Sequence, residues 1–132
     1  MKVTRAVDYA LKSCLYLASR KPDAGFISVR KLCEILKLRR AYLLKVLKVL
    51  QENGFVEIRR GAHGGYQLAR TPESITVGQV LRALEGDIFH LRCLSQETAD
   101  CDRSAMCAAR TVWAKVHARV SETLNEITLA DL

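Results

Sequence analysis

A chain of 132 residues, 49% hydrophobic and 27% charged, has the length and composition of one ordinary globular domain, which excludes a disordered segment and a large enzyme scaffold. No apolar run approaches the ~18 residues that span a bilayer, and charges at Lys2, Arg5, Asp8 and Lys12 break up the apolar stretch a secretory signal needs, so a cytoplasmic protein without a membrane partner is expected. The net charge of +7 is lopsided: residues 1–70 hold 15 Lys/Arg against 5 Asp/Glu and residues 71–132 hold 6 against 9, or +10 and −3, which suits a polyanion-binding module joined to a controlling element and equally a solvated basic surface.

Over residues 4–20, Val7, Ala10, Leu11, Cys14, Leu15, Leu17 and Ala18 recur at three- and four-residue intervals, the pattern of a helix with one buried face. Thr4 can cap it, and the stretch from Lys21 to Gly25, with Pro22, ends it. Ser28 can cap a short helix bearing Val29, Leu32, Cys33 and Leu36. After a brief connection at Lys37–Arg39, a third helix from about Arg40 to Asn53 presents Leu43, Leu44, Val46, Leu47 and Leu50, with Gly54 at its end. Two short helices across a tight turn predict a helix-turn-helix, whose second helix enters the DNA major groove.

Phe55–Ile58 and Tyr66–Leu68 alternate on either side of a glycine-rich tip, which predicts a β-hairpin wing. Thr76 begins a helix to about Leu84, closed by Gly86, and residues 87–104 read as irregular and polar. A final helix to about Ile127 carries an apolar seam at Trp113, Val116, Val120, Thr123 or Leu124, and Ile127. In so small a chain that seam is a candidate dimer helix, the alternative being that it packs on its own domain. The expected fold is thus mainly α: a winged helix-turn-helix domain at 1–86 with a two-stranded wing, a cysteine-rich loop at 87–107 and a long C-terminal dimerisation helix at 108–132.

Five cysteines in a reducing compartment argue against a disulfide framework. Cys93, Cys101 and Cys107 form C-x7-C-x5-C in the least regular part of the chain. Iron–sulfur clusters take thiolate ligands, and three cysteines leave one iron site for another donor, whereas the paired C-x2-C knuckles of structural zinc are absent. Cys14 and Cys33 lie on apolar helix faces and read as small core residues. A thiol redox enzyme would need C-x-x-C in a βαβ setting, and neither is present, so no enzyme is expected.

The opening Met-Lys-Val-Thr-Arg-Ala-Val-Asp-Tyr-Ala-Leu, the helix-turn-helix, the wing string Arg60-Gly61-Ala62-His63-Gly64-Gly65-Tyr66-Gln67-Leu68-Ala69, Ile75-Thr76-Val77, Glu85-Gly86 and the three-cysteine loop together resemble the Rrf-two family of bacterial winged-helix regulators over nearly the whole chain. The resemblance implies a homodimer that crosses long C-terminal helices, binds a palindromic operator in double-stranded DNA and in many members ligates an iron–sulfur cluster through three cysteines; a repressor is the expectation here, with activation left open by the sequence. The family's gap between the first two cysteines is usually shorter, which leaves [2Fe-2S] and [4Fe-4S] both open here.

A recognition helix needs side chains at its start that reach base edges and flanking cations that reach phosphates. By analogy with the family, Arg39, Arg40 and Tyr42 are the candidates for base contact, either arginine alternatively touching only phosphate, and Lys45 and Lys48 follow along the helix. In the wing, Arg59 and Arg60 precede a tip where Gly61, Gly64 and Gly65 either let the backbone approach DNA or serve as turn residues. Arg60 or His63 could enter a narrow minor groove. For the fourth cluster ligand, one branch of the family uses a histidine shortly after the last cysteine, a place held here by Arg110. Another uses an aspartate from the partner's first helix, which Asp8 matches, unless Asp8 only complements the positive start of that helix. His90 and His117 stand outside the pattern and read as surface groups.

Overall fold

The computed structural model describes residues 2–94 and 106–132. Its elements are α1 (Arg5–Ser19), α2 (Val29–Leu36), α3 (Arg40–Glu52), β1 (Val56–Arg59), β2 (Gly65–Leu68), α4 (Val77–Glu85) and α5 (Ala108–Glu126), with short 3-10 turns at Pro72–Ser74, Arg92–Leu94 and Leu129–Asp131. The class is the expected one: mainly helical, with a helix-turn-helix, a two-stranded wing and a long last helix.

Helices begin where hydroxyl side chains can take up amides that have no partner in the first turn. Thr4 Oγ1 accepts from Val7 N at 3.3 Å, Ser28 Oγ accepts from Lys31 N at 3.2 Å, and Thr76 forms a reciprocal capping pair with Gln79. The turn between α2 and α3 runs through Lys37, which takes the left-handed region at φ 53°, so that the Leu38 amide reaches back to Cys33 O at 3.2 Å.

One core joins Ala10, Cys14 and Leu17 of α1, Leu32 of α2, Leu43, Val46, Leu47 and Leu50 of α3, and Phe55, Val56, Ile75 and Val80 beyond them. Leu44, counted on the apolar face of the third helix by sequence, is exposed. At ~100° per residue the stripe through 43, 46, 47 and 50 leaves position 44 outside its arc. The antiparallel wing pairs Val56 with Leu68 and Arg59 with Gly65, and Ile27 adds a bridge on its free edge by exchanging two hydrogen bonds with Tyr66.

A smaller cluster of Val7, Leu81 and Ile88 receives Val120 and Leu124 of α5. There α4 and α5 approach closely enough that a Cβ at Gly78 would strike Asn125, which accepts from Arg82 Nη2 at 2.7 Å. Beyond α5 the chain returns to the head: Val77 N donates to Ile127 O, Leu129 N donates to Ile75 O, and Leu129 is buried in the main core. No helix among the described residues is long and apolar enough to cross a membrane.

Candidate nucleic-acid interface and cysteine site

With its apolar arc committed to the core, α3 shows solvent a stripe of Arg40, Ala41, Leu44, Lys45 and Lys48. Arg39, just before the helix, is exposed too. Tyr42 is directed differently: its half-buried ring packs edge-on against Tyr9 with centroids 5.0 Å apart, and the Tyr9 hydroxyl accepts from Arg39 N at 3.4 Å. The two tyrosines thus lock the start of α3 onto α1. Of the three candidates for base contact, the arginines project and the tyrosine braces.

The wing arginines also separate. Arg59 lies over the Phe26 ring, 4.5 Å from its centroid, a cation–π contact that holds it along the flank of the wing. Arg60 and His63 are exposed at the tip. Gly65 has φ 142°, and a Cβ there would collide with the Ile27 carbonyl; one at Gly64 would collide with the Arg59 carbonyl. Both glycines therefore have a reason inside the chain, while Gly61, at φ 111°, has open space around it. An open groove of about 640 Å³ between wing and α2 is lined by Lys31, Arg59 and His63 among others. Lys31 escaped the sequence reading, because only the fold shows that the first turn of α2 faces the wing. Burial raises the Tyr66 phenol above its ordinary value, while the positive charge of Arg40 pulls it the other way.

Cys93 lies in the 3-10 turn Arg92–Leu94, and Cys107 holds the N-cap position of α5; both are half-buried free thiols. Cys101 falls outside the described residues. The Arg110 Nε–H donates to the Cys93 carbonyl at 3.1 Å, which brings Cys93 to the first turn of α5 where Cys107 begins it. Cys107 offers no side-chain cap, and the first turn has no acidic residue. Asp8 is half-exposed on α1 and ion-paired with Lys12 Nζ at 2.7 Å. Among the described residues no three metal-ligating side chains gather within one chain, so Asp8 is not joined there to Cys93 and Cys107. Burial pushes the Cys14 thiol up to about 12, in keeping with a core residue, and Cys33 packs half-buried at the core's edge.

His117, taken from sequence as a surface group, is half-buried. Its Nε2 lies 2.8 Å from Asp87 Oδ1, and its ring sits 5.7 Å from that of Phe89, which in turn lies 6.3 Å from Trp113. The hydrogen bond from His117 is the main cause that holds the Asp87 carboxyl below its ordinary value. Thirty residues separate the pair, so spacing gave no signal. Nearby, Val112 (57% exposed), Trp113 (43%) and Val116 (37%) of α5 are uncovered, as is Met106 (95%) just before the helix.

A sequence model of the Rrf2 family, described as an iron-dependent transcriptional regulator, matches residues 3–132. The transcriptional regulator NsrR of Bacillus licheniformis is 30% identical over 132 residues, spanning all of this chain and 92% of the relative. Among solved structures, CymR (YrzC), the global cysteine regulator of B. subtilis, superposes with a TM-score of 0.79 at 29% identity, covering 99% of this chain and 95% of that one. IscR of T. potens superposes at 0.78 with 33% identity, covering 99% and 85%.

Proposed function

The chain belongs to the Rrf2 family of transcriptional regulators, which are not enzymes, and from that premise we propose that it is a homodimeric repressor whose hold on a palindromic operator is set by an iron–sulfur cluster on Cys93, Cys101 and Cys107. In this reading residues 1–86 read DNA, 87–107 hold the cluster and 108–132 supply the dimer helix. Arg39, Arg40 and Leu44 face the major groove, Lys45, Lys48 and Arg59 serve phosphates, and Arg60, Gly61 and His63 enter the adjacent minor groove. Tyr42, Gly64 and Gly65 hold that surface in shape.

The observation that carries the reading is the hydrogen bond from Arg110 to the Cys93 carbonyl, which holds the Cys93 backbone against the first turn of the helix that Cys107 begins, a helix with an uncovered apolar stripe. The donor set suits the group: half-buried thiols are the ligands a cluster takes, and uncapped amides at a helix start favour an anionic centre. A cluster there would supply a site open to oxidants and nitric oxide. The protein's own part is to hold three thiols at the root of α5, with Asp8 of the partner subunit as the fourth donor, and to pass the loop's arrangement through α5 to the spacing of the two recognition helices.

Oxygen-free preparations should be coloured and contain iron and sulfide, and Cys101→Ala should lose most of the visible absorption. Nitric oxide should change operator affinity in the wild type and not in Cys101→Ala. Iron-free wild type that binds its operator unchanged under every oxidant would overturn the reading. The likeness to CymR, which is also solved in an oxidized form, favours a second one, in which the same fold is governed without a cluster, by thiol oxidation or a partner protein. Colourless protein whose DNA binding follows the thiol redox state would establish that alternative.

A further inference from the structure

We propose that Arg110 is the positioning residue that docks Cys93 beside Cys107, and that it does so through its Nε–H donor rather than through its charge. The inference rests on the cluster reading for its purpose, though its test does not depend on that reading.

Cys93 and Cys107 stand at the two ends of the cysteine segment, and a contact between those ends would hold the pair together before any ligand arrives. Arg110 makes such a contact. It lies three residues into α5 from Cys107, a rise of about 4.5 Å or nearly one turn, and its Nε–H donates to the Cys93 carbonyl at 3.1 Å. The bond is to backbone, so it fixes the path of the 3-10 turn and leaves the Cys93 thiol free. A preformed pair of donors loses less conformational freedom when a ligand closes the set. The guanidinium has no carboxylate partner among the described residues, which leaves this hydrogen bond as its visible engagement.

The chemistry of the side chain allows a clean test. In glutamine the amide nitrogen occupies the place of the arginine Nε, so Arg110→Gln keeps a donor there and removes the charge. Arg110→Met keeps the length and removes both. In metal-free, reduced protein, a short bis-alkylating reagent should join Cys93 to Cys107, with the linked peptides identified by mass spectrometry. The rate in Arg110→Gln should match wild type, and Arg110→Met should be slower by about fivefold, the effect of losing one ordinary hydrogen bond. In loaded protein, chelators should strip iron from Arg110→Met several times faster than from Arg110→Gln. Equal cross-linking in all three proteins, or Arg110→Gln as slow as Arg110→Met, would overturn the proposal. Colourless wild type with the expected cross-linking pattern would count against the cluster alone and leave the role of Arg110 standing.

Discussion

The winged head and α5 are built to opposite standards. In α1, six of fifteen residues are buried, and the core it shares with α2, α3 and the wing includes side chains with no exposure at all. In α5, none of nineteen residues is buried. Val120 and Leu124 seat its second half on the head, while Val112, Trp113 and Val116 remain uncovered in its first half. The head is a finished unit whose surface is free to meet DNA, whereas α5 has an apolar stripe that only a further surface can complete. Under the proposed function that surface is the same helix of a second copy.

Truncation inside the head should produce the largest effect. Leu47 is completely enclosed, so Leu47→Ala should cost about 2–5 kcal/mol in urea unfolding. Val116→Ala, measured at concentrations where the protein is monomeric, should cost only ~0.5 kcal/mol or less. Comparable losses at the two sites would mean that α5 is as integral to the fold as α3, and the contrast between the regions would collapse.

A charge on the stripe comes next. Val116→Glu should leave the far-ultraviolet circular dichroism of the head unchanged and weaken self-association by about 2 kcal/mol, roughly 30-fold in Kd, because a carboxylate would lose water against apolar neighbours. Sedimentation equilibrium gives the association constant, and binding to a palindromic operator should fall with it while binding to a half-site holds. A variant that still dimerises at wild-type strength would move the interface elsewhere on the molecule.

Much of this architecture was legible in the sequence, and the reasons are local. Thr4, Ser28 and Thr76 cap helices because a hydroxyl before an apolar period is a nearest-neighbour signal, and the wing follows from alternation on either side of glycines. What needed the fold were relations between distant residues. That Tyr42 packs on Tyr9 is invisible to spacing, and Gly64 and Gly65 read as loop glycines until the Arg59 and Ile27 carbonyls are seen to leave no room for a side chain. Lys31 and Arg59 share a groove that no spacing announces. The single apolar period of the last helix likewise concealed a division, since only packing shows that Val120 and Leu124 belong to the head and Val116 to the exposed stripe.

The smallest expected effect concerns the joint between the two regions. Asp87 follows α4, His117 lies on α5, and their hydrogen bond is the main cause that keeps the Asp87 carboxyl below the ordinary value of 3.8. A carboxyl with a lowered value in the folded state stabilises the fold above its unfolded value and loses that contribution as pH falls through the folded one. Asp87→Asn keeps an acceptor for His117 and removes the charge. In metal-free protein the wild type should therefore be the more stable of the two at about pH 5, and the gap should close toward about pH 3. Both side chains are partly exposed, so solvent screening limits the gap to well under ~1 kcal/mol, resolvable as a shift in urea midpoint. The sign matters more than the size. A gap that closes on acidification adds a charged clasp between head and α5 to the Val120–Leu124 seam and the Arg82–Asn125 bond, and a gap that stays flat leaves those two without its help.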